Sequence, residues 1–217
     1  MTQTVTLHYL FDPLCGWCYG ASETIATLAN HPDIDLQPRA TGLFAGNGAR
    51  PMKSFAAQAW ANDQRIAALS GRQFTEAYRR DVLGADDASL DSTMATLAVT
   101  AVADTTPATP PARVIEALAA IQAARYVDGK DVTSSAIVAN VLTDFGHAEA
   151  AARVLAPDTA LADLVRTRTA QARDLMAAHN VQGVPALIAD VNGRQFGLDA
   201  SAIYSGPDAI LAALGRA

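Results

Sequence analysis

Cysteine is scarce in this chain: the 217 residues hold two, Cys15 and Cys18. Two are too few for a small secreted scaffold stapled by disulfides. Positive charge is also thin. Sixteen lysines and arginines face 22 acidic residues, for a net charge of −6, and no basic run occurs. That excludes a nucleic-acid-binding surface, which needs clustered cations to displace counterions. No apolar run approaches the roughly 20 residues of a membrane-spanning helix. The opening MTQTVTLHYLF lacks a basic segment followed by an apolar core and a cleavage site. This predicts a cytoplasmic protein without a secretory signal. Aromatics are few, at 6%, whereas half of all residues are hydrophobic and alanine is abundant. The chain therefore has enough apolar surface for a sizeable core, built mainly of helices.

What is present is ordered around FDPLCGWCYG, residues 11–20. Thr4 to Phe11 alternates, with Val5, Leu7, Tyr9 and Phe11 on one side, which predicts a strand. Asp12-Pro13 ends it. Cys18, Ala21, Ile25 and Leu28 then recur at steps of three and four, predicting a helix over 15–29 with these residues on its buried stripe. A second strand follows at 33–39, with Ile34 and Leu36 inward. Strand, helix and strand make a β-α-β unit of parallel pairing. GLFAGNGARP is a loop, and its glycine spacing fits neither a P-loop nor a dinucleotide fingerprint. Helical periodicity dominates from Met52 to about Leu155, predicting helices at 52–69, 75–83, 92–104, 113–126, 133–145 and 147–155. The Pro107/Pro110/Pro111 cluster is among the turns between them. A longer amphipathic helix is expected at 159–179. Strands at 186–191 and 194–198 are joined by the hairpin signal Asn192-Gly193. A final helix starts after Ser205-Gly206-Pro207.

A C-x-x-C pair between a strand and a helix is a thiol–disulfide exchange motif. Exchange needs a thiolate that attacks and a second thiol that releases the mixed disulfide. A free cysteine, with a pKa of about 8.5, is only slightly ionised at neutral pH. Cys15, in the first helical turn, meets unpaired N–H groups and the positive end of the helix dipole, which favour its thiolate. Cys18, one turn in, is placed to donate a hydrogen bond to it. Cys15 is thus the expected nucleophile and Cys18 the resolving thiol. The other readings are an inert structural disulfide and half of a zinc site. Zinc normally takes four ligands, and His8, His31, His147 and His179 show no ligand spacing, so no metal is expected. Asp12 precedes the pair as a turn-former or as a buried proton carrier. Trp17 provides apolar surface at the rim of the pair, or packs against the helical block. Phe44, Arg125, Tyr126 and Tyr204 are candidates for a groove beside it, or for core.

The stretches DPLCGWC at 12–18, GLF at 42–44, LDS at 90–92, IQAARYVDGKDV at 121–132 and GVPAL at 183–187 resemble the DsbA-like family. The resemblance is closest to its cytoplasmic oxidoreductase and isomerase branch, which includes the FrnE-like proteins. It implies an α/β thioredoxin-like fold (β-α-β … α-β-β-α) split by a large all-α insertion. The parts would be 1–45 with the cysteines, 46–158 as the insertion and 159–217 with a cis-proline loop. It implies a cis Val184–Pro185 bond, with Gly183, Val184 and Phe44 contacting an extended substrate. It assigns Asp12 to proton transfer with the resolving thiol. It implies a protein-disulfide oxidoreductase or isomerase with no cofactor beyond the Cys15/Cys18 dithiol. Its partners would be disulfide-containing proteins or peptides, and glutathione or thioredoxin. Periplasmic members usually carry His where this chain has Trp17, which weighs against a strongly oxidising potential. Glutathione-dependent isomerases and transferases of the same inserted fold are the rival class, and they usually lack the second cysteine. A peptide-binding holdase is the non-enzymatic rival.

Overall fold

The computed structural model describes residues 4–105 and 109–215; Pro107 of the expected proline turn lies outside them. The chain enters as strand β1 (Val5–Phe11), turns into helices α1 (Gly16–Gly20) and α2 (Ser22–Ala29), and returns as β2 (Ile34–Ala40). β3 (Arg50–Pro51) leads to α3 (Ala56–Ser70), the short α4 (Glu76–Tyr78) and β4 (Ser89–Leu90). Five helices follow: α5 (Thr93–Thr105), α6 (Pro111–Tyr126), α7 (Ser135–Asp144), α8 (Ala148–Leu155) and α9 (Thr159–Ala178). β5 (Ala186–Val191), β6 (Arg194–Gly197) and α10 (Pro207–Leu214) complete the fold.

The main sheet has the order β2-β1-β5-β6. β1 and β2 are parallel, with Leu7 opposite Leu36. β5 is antiparallel to β1, with Leu7 opposite Ala189, and β6 is antiparallel to β5. Parallel neighbours need a crossover, and α1 with α2 supplies it. Asn192 and Gly193 both take positive φ, 57° and 77°, as the tight β5–β6 turn requires.

Alternation along β1 puts side chains on both faces. Leu7, Tyr9 and Phe11 enter the main core, which runs without interruption from the sheet into the helical block. Leu10 points the other way, onto Ala172 of α9 beside Ala186 and Ile188. α9 therefore covers one face of the sheet while α2 and α6 pack on the other side of β2. Each fully buried leucine or isoleucine in these layers contributes roughly 2 kcal/mol.

Three expected elements differ in detail. The helix expected over 15–29 is two, parting at Ala21 (φ −76°, ψ −12°). The helix expected to start at 52 starts at Ala56, because Met52 N–H bonds to Ala88 O and Arg50–Pro51 pairs with Ser89–Leu90. The helix expected over 75–83 makes one α-turn and then widens to a π-turn over Arg79–Leu83.

Candidate active site

Cys15 is the N-cap residue of α1, one position earlier than the first turn expected for it. Its N–H bonds to Asp12 O at 3.1 Å, and its carbonyl accepts from Tyr19 N–H. Its sulfur is 3.4 Å from Val184 O, toward which the thiol donates. Two segments 169 residues apart thus meet at one thiol. The Val184–Pro185 peptide bond is cis. Of this loop Val184 touches Cys15, Gly183 is exposed and Pro185 is buried. Neither cysteine is in a disulfide. Cys15 is 7% exposed and Cys18 only 1%, so Cys15 is the one an incoming sulfur reaches first. Burial, and then a hydrogen bond with Cys15, hold the Cys18 thiol well above its usual range.

Asp12 is fully buried at the end of β1. Oδ1 accepts from Leu14 N–H at 2.9 Å, the interaction of a turn-former. Oδ2 accepts from Phe44 N–H at 3.0 Å and from Ser92 Oγ at 2.7 Å. One carboxylate therefore ties together the loop before Cys15, the 42–44 loop and the entrance to α5. Burial raises its pKa, and these donors oppose the rise. Its charge also acts on Cys18. Asp12→Asn is expected to slow release of a mixed disulfide by Cys18, read by rapid-quench mass spectrometry. An unchanged release rate in a merely less stable protein would reduce Asp12 to its anchoring role.

The helical block reaches the cysteines through α3 and α6. A Cβ on Gly16 would sit 2.5 Å from Asp63 Oδ1, and one on Gly20 2.6 Å from Ile66 Cγ2. Glycine at both positions lets α3 press against α1. From α6, Tyr126 OH donates to Leu14 O at 2.8 Å and Gln122 Nε2 to Pro13 O at 3.4 Å. Tyr126 stacks on Tyr19, with ring centroids 4.8 Å apart. Trp17 takes its ring partner from the C-terminal part: Tyr204 meets it edge-on at 5.5 Å and donates its hydroxyl to Trp17 O at 2.9 Å. Trp17, Phe44, Arg125 and Tyr126 line one cleft with Cys15, which holds about 490 Å³ of empty space out to its mouth. Tyr204 lies outside that lining, behind Trp17.

Asp63 is the residue of this cleft that the sequence conceals. It is 5% exposed, and its Oδ2 accepts from Tyr78 OH at 3.0 Å. Burial pushes its pKa up to about 7, against the pull of the Tyr78 hydrogen bond and the Arg125 charge. In the string AWANDQRIAAL it reads as one polar residue on a solvated helix. Only its step from Ala59 and to Ile66, both buried, puts it on the inner face. The Tyr9 hydroxyl, beside Cys18, was likewise legible only as core.

The DSBA-like thioredoxin domain matches residues 6–205. The chain belongs to the DsbA-like thioredoxin family. No curated protein matches it. Among solved structures it is similar to the cytosolic disulfide reductase DsbM from Pseudomonas aeruginosa. The two are 30% identical over 97% of this chain and 98% of that one, with a TM-score of 0.84. DsbM with GSH gives 30% identity over 98% and 100% of the chains, and a TM-score of 0.81. A candidate protein disulfide isomerase from Nitrosomonas europaea is 22% identical over 99% and 97%, with a TM-score of 0.76. A 2-hydroxychromene-2-carboxylate isomerase shares the fold at 16% identity over 97% and 95%, with a TM-score of 0.61. The DsbA-like fold with its helical insertion is thus the expected one, and DsbM, 30% identical to this chain, is a disulfide redox enzyme. No helix among the described residues is long and apolar enough to cross a membrane.

Proposed function

We propose that this DsbA-like protein is a cytosolic disulfide reductase working through the Cys15/Cys18 dithiol, with glutathione as its thiol partner. The observation that carries this reading is the Cys15 sulfur at the N-cap of α1, 3.4 Å from Val184 O, with Cys18 buried one turn behind. Cys15 thiolate attacks one sulfur of a substrate disulfide and expels the other as a thiolate. Cys18, giving up its proton, attacks Cys15 sulfur, releasing the second substrate thiol and leaving a Cys15–Cys18 disulfide. Two thiols of glutathione then return the dithiol and leave as glutathione disulfide. Electrons therefore pass from glutathione to substrate, and no cofactor beyond the dithiol is needed. A substrate segment would lie along Gly183 and Val184, using their backbone groups, with Trp17 and Phe44 as apolar walls. The likeness to DsbM, a cytosolic reductase also solved with GSH, supports the direction and the partner.

Quenched alkylation of both cysteines across glutathione redox buffers tests it. A reversible two-electron transition at about −250 mV or lower is expected of a reductase. A transition between about −120 and −200 mV would instead make it an oxidant or isomerase. No reversible disulfide at any poise would move the assignment to a glutathione-dependent isomerase or a peptide-binding protein.

A further inference from the structure

The cleft beside Cys15 carries a charge that the exchange chemistry leaves unused. Arg125 lies on α6, is 1% exposed, and lines the cleft with Cys15. Its Nε and Nη1 have no hydrogen-bond partner. No carboxylate lies within ion-pairing distance of it among the described residues. Its guanidinium is instead 5.6 Å from the Tyr78 ring centroid and 5.7 Å from that of Tyr126, with the Tyr78 hydroxyl on one side. A buried cation with idle donors is unfavourable unless something completes it. Asp63, the carboxyl group sharing this cleft, is turned to the Tyr78 hydroxyl and holds its proton up to about pH 7. A second cation stands at the rim. Arg50 is exposed and stacks over the rings of Phe44 and Phe55, at 5.2 and 4.8 Å, and both rings line the cleft. Apart from Asn62 the other walls are apolar, with Leu14, Met52 and Leu90 among them. In a chain of net charge −6, this is a local cationic pocket next to a nucleophilic sulfur.

We infer that Arg125 is the carboxylate-binding residue of a subsite beside Cys15, so that the preferred thiol or disulfide bears a carboxylate near its sulfur. The inference rests on the reading that Cys15 forms mixed disulfides. The carboxylate forms a charge-assisted bond to one of the two idle donors, Nε or Nη1, which point from different edges of the guanidinium plane. Arg50 draws it in. A small acidic thiol such as glutathione and an acidic residue beside a peptide cysteine both present this group.

The test compares three symmetrical disulfides of similar size: 3,3′-dithiodipropionate, bis(2-hydroxyethyl) disulfide and cystamine, which are anionic, neutral and cationic. Oxidation rates of the reduced protein are divided by those of dithiothreitol, which removes the intrinsic reactivity of each compound. The anionic disulfide is expected to exceed the cationic one by about tenfold or more. Arg125→Gln is expected to flatten the series, and Arg125→Lys to retain part of it. Equal normalised rates in the wild type would overturn the inference without recourse to any variant, as would a preference that survives Arg125→Gln. Oxidised glutathione and peptide disulfides with Glu or Lys beside cysteine, run alongside, assign the source of the carboxylate. Binding of unreactive S-methylglutathione, followed by tryptophan fluorescence in a Trp60→Phe background that leaves Trp17 as the reporter, separates the two readings. Binding abolished by Arg125→Gln in a protein that exchanges no disulfide supports the subsite and rejects the redox role. Exchange without charge preference and without such binding rejects the subsite alone.

Discussion

Replacing Cys15 by serine is expected to reduce disulfide exchange by on the order of a thousandfold or more, the scale seen when a nucleophile is removed. A serine hydroxyl is not ionised near neutral pH and attacks no disulfide, so neither the mixed disulfide nor its release can occur. The fold should tolerate the change. Serine at the N-cap is favourable, and its hydroxyl takes over the donation that the thiol makes to Val184 O. Cys18→Ser should behave differently. The accessible thiol still attacks, but nothing resolves the adduct, so one substrate thiol per chain accumulates on Cys15 and shows as a mass increment. Gel or mass analysis after brief exposure to a model disulfide reads both. An adduct on Cys18 in the Cys15→Ser protein, or full turnover by either variant, would reverse the assignment of roles.

Stability should decline as pH rises from about 4 to 7, and Asp63→Asn should remove much of that decline. Burial pushes the Asp63 carboxyl up to about 7 in the fold, against about 3.9 for an aspartate in an unfolded chain. Between those values the folded state holds a proton that the unfolded chain has released, so folding is favoured at low pH. The contribution is complete below the unfolded value and is lost as pH rises through the folded one. Three units at about 1.4 kcal/mol each bound the effect at about 4 kcal/mol. The rise of Asp12 acts in the same sense. His8 and His147, whose pKa values burial lowers, act in the opposite sense around neutrality. The difference between wild type and Asp63→Asn isolates Asp63. Asparagine still accepts from Tyr78 OH and never ionises, so the variant should gain on the wild type at pH 8 and match it at pH 4. Urea unfolding at pH 4, 6 and 8 measures this. Parallel pH profiles for the two proteins would show that Asp63 does not carry the titration. Because Asp63 Oδ1 lies against Gly16, its ionisation also changes the charge beside Cys15.

Much of the frame was legible in the residues. Period-two alternation located β1 and β2, the stripe of Cys18, Ala21, Ile25 and Leu28 located the helices after the motif, and Asn192-Gly193 located the β5–β6 turn. These signals are local, since burial on one face imposes a period on the sequence. The break at Ala21, the late start of α3 and the wide turn over 79–83 were not legible. The start of α3 depends on the pairing of Arg50–Pro51 with Ser89–Leu90, which no window of sequence contains. Asp12 showed both readings in sequence, and the structure adds Phe44 and Ser92 to the turn that its position implies.

By itself the sequence determined the chemistry available to this protein: one C-x-x-C pair, at a strand-to-helix junction, inside a thioredoxin-like order of elements. That follows because a dithiol motif and its flanking periodicities lie within a few turns of one another. Tertiary structure decided what surrounds the sulfur. It set Val184 O against Cys15, Asp63 against Gly16, and Arg125 in the wall of the cleft, each from a segment distant in the chain. Contacts of that kind leave no period to read, because they come from helices and loops packing together, and a buried Arg or Asp looks in sequence like any solvated one.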